Sequence, residues 1–279
     1  MGWSLALILL LCLVAVLAPA LAPYAPSAQL DIVSLKNHPP SRAFPFGTDQ
    51  YSRDVLSRVL FGARISLSVA TLAVLLSATI GTAYGVTAGY LGGRIDTMLM
   101  RLLDAFLAIP RVLLLVAILA LWSPVPLIAL IFVIGGTGWF DVSRLVRAEV
   151  LSVMQREYVT GARALGAPGL RIVWRHVLPN VAAPVLVAAA LAVGNVIILE
   201  AGLSYLGIGA RAPTASWGSI FFDGSDALQS TWWVALFPGL AILITVLAFN
   251  SLGDALRDLL DPQQLPDGDR TDAAPHDIS

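Results

Sequence analysis

The sequence predicts an all-α fold: a polytopic membrane protein with six transmembrane helices and a structured loop on the cytoplasmic side. Three observations predict it. The 279-residue chain is 57% hydrophobic and only 13% charged, with mean hydropathy +0.81, whereas a soluble domain carries about 25% charged residues. Its apolar residues gather into runs of about 20 or more, the length at which a helix crosses the hydrocarbon core. The links between runs are where Pro, Gly and Arg collect. Half the usual charge cannot clothe a water-facing surface, which excludes a soluble enzyme, a nucleic-acid-binding domain and a disordered chain.

The first run is Trp3 to Ala22, within a first span over residues 1–22. A cleavable signal peptide is the rival reading, because Ala20-Leu21-Ala22 looks like a cleavage site. No Lys or Arg precedes the run, and it exceeds the roughly 7–15 apolar residues of a signal core, so a retained span is expected. Residues 23–63 are the longest hydrophilic stretch between spans. Pro23, Pro26, Pro39, Pro40 and Pro45 make them an irregular extracytoplasmic segment, with Asp54-Val55-Leu56-Ser57-Arg58 opening an amphipathic approach helix. A five-helix core with its loop fills 64–260. The second span, Ile65 to Tyr90, is rich in Gly, Ala and Ser. Small residues let helices approach closely in lipid, which places this span inside the bundle. Gly92-Gly93 marks a turn. The third span, Met98 to Trp122, is interrupted by Pro110, which is expected to kink it. The fourth is Val125 to Val142. A polar segment, 143–180, separates it from the fifth span, Val181 to Ile208. Segment 209–232 carries Trp217, Phe221, Phe222, Trp232 and Trp233, an aromatic set suited to a membrane interface. The sixth span is Val234 to Leu252.

Of 17 basic and 18 acidic residues, the tail 261–279 holds five acids and one Arg, and with Pro262, Pro266 and Pro275 it reads as a solvated, acidic cytoplasmic end. There is no basic field suited to nucleic acid. The single cysteine, Cys12, cannot form an intrachain disulfide, and the three histidines are far apart in sequence, so no Cys/His metal site is expected. Arg144, Arg147, Arg156, Arg163, Arg171 and Arg175 crowd the 143–180 segment, whereas 209–232 has Arg211 alone. The positive-inside rule then puts the first segment and both termini in the cytoplasm. Lys36, Arg42, Arg53, Arg58 and Arg64 argue the other way and leave a conflict.

The 143–180 segment carries the most information. Leu151, Met154, Tyr158, Ala162 and Leu165 recur at helical spacing, with Arg156, Thr160 and Arg163 off that face. Gly166 suits a left-handed cap, and Pro168 an exit. Leu170, Val173, Trp174 and Val177 form a second apolar face that Pro179 is expected to end. Two amphipathic helices about a Gly hinge offer a docking surface for another protein. A loop that merely lies on the membrane surface is the alternative.

The string from Glu157 to Gly166, followed by Arg175-His176-Val177-Leu178-Pro179-Asn180, resembles the EAA loop of bacterial ABC importer permeases. Gly166 and Leu178-Pro179 match that pattern at its spacing; Thr160, Gly161 and His176 depart from its Glu, first Ala and Ile. Phe46-Gly47-Thr48-Asp49, Ser52-Arg53-Asp54-Val55-Leu56-Ser57-Arg58, Gly62-Ala63-Arg64-Ile65-Ser66-Leu67 and Ala88-Gly89-Tyr90-Leu91-Gly92-Gly93 are similar to the dipeptide, oligopeptide and nickel branch. So are Glu200-Ala201-Gly202-Leu203-Ser204-Tyr205-Leu206-Gly207, Pro213-Thr214-Ala215-Ser216-Trp217-Gly218, Phe237-Pro238-Gly239-Leu240 and the run from Asn250 to Asp258. The resemblance, to the C-type permease subunit, covers about residues 20–262.

What it implies is a type I ABC importer permease fold in the bacterial cytoplasmic (inner) membrane. The chain would move di- or oligopeptides and hydrolyse nothing itself. Its implied partners are a homologous second permease, two ABC ATPase subunits that hold ATP and Mg, an extracytoplasmic substrate-binding protein and membrane lipid. The coupling contacts implied are Glu157, Tyr158, Thr160, Gly161, Ala162, Arg163, Leu165, Gly166 and Arg171. The chain has no phosphate loop of its own.

Within the spans, Glu200 and Asn195, and Arg101 with Asp104, are candidates for the translocation path. A charge at the bilayer centre costs roughly 2.5–3.5 kcal/mol, so such a group should face the bundle or water. Arg101, Asp104, Ala108 and Arg111 fall along one face of the third span, where Arg101 and Asp104 can pair. The competing role is a tie between helices. Nickel chelates, glutathione or another small solute are alternative cargoes. An intramembrane serine protease would need a base for Ser204, and no His lies in any span. A stand-alone secondary transporter would not need the docking loop.

Overall fold

A computed structural model describes residues 2–209, 214–225 and 229–260. The acidic tail, Arg211 and Pro213 lie outside the described residues. The described chain is a helical bundle: α1 Gly2–Leu21, α2 Val55–Leu91, α3 Gly93–Leu107, α4 Arg111–Leu119, α5 Leu127–Met154, α6 Glu157–Ala164, α7 Gly169–Ile172, a π turn Val173–Val177, α8 Leu178–Tyr205, α9 Trp217–Ser225 and α10 Trp232–Leu260. Five helical stretches are long and apolar enough to cross a membrane: α1, α2, α5, the unbroken run Gly169–Tyr205, and α10. α3 and α4 together make a sixth, bent by 73° at their junction.

Several boundaries differ from the sequence expectation, each for a physical reason. The approach helix and the second span are one helix of 37 residues. Asp54 caps its start, accepting from the Ser57 amide at 2.8 Å, and no proline interrupts the helix between Val55 and Leu91. The third span is not kinked but broken. Pro110 supplies no amide donor and pushes Ile109 out of the helical region, so α3 stops at Leu107 and α4 restarts at Arg111. The fourth span does not end at Val142. α5 runs on to Met154, because Ser143, Val146, Val150 and Val153 continue its buried stripe. Arg144 and Arg147 in that extension are met by Asp104 and Asp96 of α3.

Pro179 likewise fails to end a helix. The turn before it widens instead: the Leu178 amide bonds to Val173 O, five residues back. A proline ring crowds the carbonyl four residues before it and offers no N–H, and a π turn takes up both defects without breaking the rod. Asn180 Nδ2 also donates to the carbonyl of His176 at 2.7 Å.

α2 and α5 form the spine. Gly81, Gly85 and Gly89 sit opposite Val142, Val146 and Val150; a Cβ on each glycine would fall 2.6, 2.7 and 2.8 Å from its valine. The two four-residue repeats interlock, and the backbones meet with nothing between them but valine methyls. Around this spine, Ala70, Ala73, Leu130, Ile134, Val193, Ile197 and Ala248 make the main core, joined by Ile8 and Ala15 of α1.

At one end of the bundle, residues 22–54 fold back over α2 and α9. Asp49 Oδ2 accepts from Arg53 Nε and Arg58 Nη1, both at 2.6 Å. Asp223 Oδ2 accepts from Arg53 Nη2 at 2.9 Å and Arg58 Nη2 at 2.8 Å. This four-charge knot is largely buried. Trp217 and Trp233 are not a membrane-interface set, as the sequence suggested. They are 1% and 5% exposed, and their indole N–H groups donate to Val59 O and Thr48 O, both at 3.0 Å. Phe46 stacks on Phe237, with ring centroids 3.8 Å apart. At the opposite end lies the loop that joins α5 to α8.

Candidate functional site

The loop is a small folded platform. The chain leaves α5 at Met154, turns through Gln155 and Arg156, and begins α6 at Glu157. The predicted face from Leu151 through Leu165 is therefore split between two helices. α6 is held by one buried residue, Val159. It sits in a cluster of Val86, Val146, Val150, Val153, Ile172, Val177 and Val181, which joins the loop to α2, α5 and α8. The periodic search passed over Val159 because it looked for a continuous stripe. Its signal is a lone branched aliphatic residue between Tyr158 and Thr160.

α6 ends in a full Schellman arrangement. The Ala167 amide bonds to Ala162 O at 3.0 Å and the Gly166 amide to Arg163 O at 2.9 Å. Gly166 has φ +80°, as its sequence context predicts, and no heavy atom stands within 4 Å of its Cβ direction. The requirement there is backbone conformation, not space. Pro168 then caps α7.

Of the residues singled out in the loop, Glu157, Tyr158, Thr160, Gly161, Arg163, Leu165, Gly166 and Arg171 are exposed and Ala162 is half-buried. Tyr158, Leu165, Leu170 and Trp174 carry apolar surface outward, Leu165 to 90%. Tyr158 also rests on His176, with ring centroids 5.7 Å apart. Arg156 Nη1 donates to Asn180 Oδ1 at 3.2 Å, which straps the start of α6 to α8.

Within the spans, the structure separates residues that the sequence grouped. Glu200 is 2% exposed and ties three helices. Ser204 Oγ and Ser216 Oγ donate to its Oε1 at 2.8 Å, and Ser66 Oγ approaches Oε2 at 3.5 Å. The Trp217 amide in turn donates to Ser66 Oγ at 3.1 Å. These bonds form a node between α2, α8 and the start of α9, and Glu200 is not among the residues that line the cavity between α2, α4, α5 and α8. Ser204, the hydroxyl considered as a nucleophile, is a member of that node.

Arg101 and Asp104 do not pair. Asp104 is bound to Arg144 of α5, and Arg101 lies on the exposed face of α3. Arg111 does not share their face, because the 73° break puts it on a different helix. It points instead into a cavity of about 330 Å³ that Asn195 also lines, together with Ser77 and Asp141. Asp141 was missed by the sequence reading. A lone carboxylate near the end of the apolar run 125–142 was the signal.

Residues 81–265 match the family described as binding-protein-dependent transport system inner membrane component. The chain belongs to that family. It is 40% identical over 261 residues to a Bacillus subtilis dipeptide transport system permease protein, covering 93% of this chain and 81% of that one. It is 41% identical over 266 residues to a Pseudomonas aeruginosa di/tripeptide transport system permease protein, covering 93% and 87%. A Brucella suis protein named provisionally as a peptide transport system permease is 42% identical over 265 residues, covering 95% and 88%. Among solved structures, a chain of the inward-facing MetNI methionine ABC transporter superposes with TM-score 0.61 at 18% identity, covering 74% of this chain and 97% of that one. That likeness establishes the ABC permease fold. As a binding-protein-dependent transport component, the chain is a multi-pass permease subunit of an ABC importer, a membrane protein whose family implies ATPase and substrate-binding partners. The platform, node and cavity are thus parts of a transport machine.

Proposed function

We propose that this chain is one of two homologous permease subunits of an ATP-driven importer that carries di- or oligopeptides across the cytoplasmic membrane. The observation that carries the cargo is the set of relatives named for dipeptide and di/tripeptide transport, about 40% identical over more than nine-tenths of the chain. The exposed Tyr158, Leu165, Leu170 and Trp174 are the surface that seats in an ATPase subunit, where ATP and Mg are bound and hydrolysed. Glu157, Thr160, Gly161, Arg163 and Arg171 rim that contact, with Ala162 half-buried behind it and Gly166 shaping the turn.

The loop end faces the cytoplasm, with both termini on that side. The six arginines of the 143–180 segment, against Arg211 alone in 209–232, support this orientation. Arg53 and Arg58 are held by Asp49 and Asp223, as Arg144 and Arg147 are by Asp104 and Asp96, so pairing within the fold leaves the balance between the two ends as the sequence has it. The knot end then meets the extracytoplasmic binding protein.

The test is reconstitution of the chain with its second permease, ATPases and binding protein in proteoliposomes. Labelled glycyl-leucine should accumulate only with internal ATP and added binding protein. Accumulation of another solute under the same conditions, with no uptake of any peptide from two to five residues, would reject the peptide reading.

A further inference from the structure

Between α2, α4, α5 and α8 the bundle opens into the cavity of about 330 Å³. Its wall is mostly apolar, and four side chains give it polarity: Ser77, Arg111, Asp141 and Asn195, one from each helix. Arg111 is fixed from behind. Its Nη2 donates to Ile134 O at 3.1 Å and its Nε approaches Thr137 Oγ1 at 3.4 Å, leaving Nη1 without a partner among the described residues. Asp141 and Asn195 are exposed on the cavity side. Among the described residues neither carries a side-chain hydrogen bond, and no ion pair joins Asp141 to Arg111. The next charges along α5 behave differently: Arg144 and Arg147 are both engaged by α3.

Asp141 stands near the end of the apolar run 125–142 of α5, one turn before the paired Arg144. Its carboxylate, exposed and within electrostatic reach of Arg111, is open to water, another chain or a solute. A cation and an anion on separate helices, across one small cavity with an amide beside them, complement a molecule that ends in an ammonium and a carboxylate. The volume lies at the low end of the roughly 300–1,000 Å³ typical of small-molecule sites, which suits a short one.

We propose that this cavity is a solute-holding station on the translocation path, where Asp141 accepts the ammonium of a short zwitterionic peptide, Arg111 Nη1 donates to its carboxylate, and Asn195 hydrogen-bonds the amide between them. The inference rests on the peptide-import reading and assigns residues to it.

Cys12 is the chain's one cysteine, so Cys12→Ser gives a clean background, and Ala192→Cys places a thiol in the cavity wall. The complete importer is purified in detergent with this pair of substitutions and treated with a water-soluble thiol reagent. The thiol should react, and millimolar glycyl-leucine should slow the reaction at least fivefold. N-acetyl-glycyl-leucine amide, which lacks both charges, should not slow it. Adding Asp141→Asn should remove the protection by glycyl-leucine. An unreactive thiol, equal protection by the blocked peptide, or no protection by glycyl-leucine overturns the proposal. Uptake by the wild-type importer separates the two readings. Failure to take up glycyl-leucine counts against peptide import itself, whereas normal uptake without protection counts against the cavity alone.

Discussion

The two ends of the bundle are built on opposite terms. At the knot end, most polar groups are turned inward and answered within the chain: two Asp hold two Arg, Asp54 caps α2, and two indoles reach backbone carbonyls, while Asp54 Oδ1 and Arg58 Nε are buried without a hydrogen-bond partner among the described residues. At the loop end, a few β-branched residues make the underside of a platform whose upper side shows Tyr158, Leu165, Leu170 and Trp174 to solvent. The first region closes most of its polar groups on itself. The second is rigid enough to hold an apolar face in register, yet does not cover that face. If the exposed face is the docking surface proposed above, substitutions at the two ends should fail in different assays.

The largest effect is expected at the knot. Arg58→Ala leaves Asp49 and Asp223 facing one cation instead of two in a buried setting, and breaking such a pair costs about 3–5 kcal/mol. Membrane abundance and thermal unfolding in detergent should both fall sharply. Arg163→Ala, an exposed arginine of the loop end, should leave both unchanged. Equal stability of the two variants would erase the contrast.

Next is the Glu200 node, which lies between the ends. Glu200→Leu strips the acceptor from the Ser204 and Ser216 hydroxyls in a buried place, and each orphaned group costs roughly 1–3 kcal/mol. Glu200→Gln keeps an acceptor and should lie much closer to wild type. A thermal scan of the two variants measures the gap; identical midpoints would show that the node does not tie α9 down.

The contrast also separates what the sequence made legible from what it did not. Span count was legible because an apolar run about 20 residues long is a local property. Gly166 was legible because a left-handed turn constrains one residue and leaves its mark at that residue. Helix lengths were not, because the sequence reading treated charges and prolines as terminators wherever they occurred. Arg144 and Arg147 ended the fourth span on paper; in the structure Asp104 and Asp96, some 40 and 51 residues away, receive them and α5 continues. Pro179 ended a helix on paper; a widened turn carries the helix past it. Arg111 was grouped with the wrong neighbours because the bend at Pro110 has no magnitude in sequence. The partners of Glu200, from residues 66, 204 and 216, are joined only by tertiary folding.

A smaller effect on stability, with a large one on coupling, is expected from Gly166→Val. The left-handed turn costs a branched residue roughly 1–2 kcal/mol. The spans should still insert, because no heavy atom of the spine stands within 4 Å of the Cβ direction at Gly166. Substrate-stimulated ATP hydrolysis by the reconstituted complex should drop at normal abundance, and Gly166→Ala should be milder. Normal coupling in Gly166→Val would mean that the turn does not set the docking face.

The smallest change in stability is expected from Leu165→Asp and Trp174→Asp, within about 0.5 kcal/mol of wild type, since both side chains already face water. Co-purification of ATPase subunits should nevertheless fall at least tenfold. If these variants retained their ATPases and instead lost thermal stability, the loop end would be a second region closed on itself.

The π turn at 173–177 has a further consequence, which concerns phase. An α-helix advances about 100° per residue, and a π turn fits one extra residue into its circuit. Trp174 on the platform and Asn195 in the cavity belong to one unbroken rod, Gly169–Tyr205. The angle between the directions in which they point is therefore fixed by that extra residue. Drawing the turn back to the ordinary period while keeping all its residues would rotate the platform by about 100° relative to the cavity, with every side chain still present and the rod still intact. The chain thus stores, in one wide turn, the angular offset between the platform's exposed face and the cavity wall.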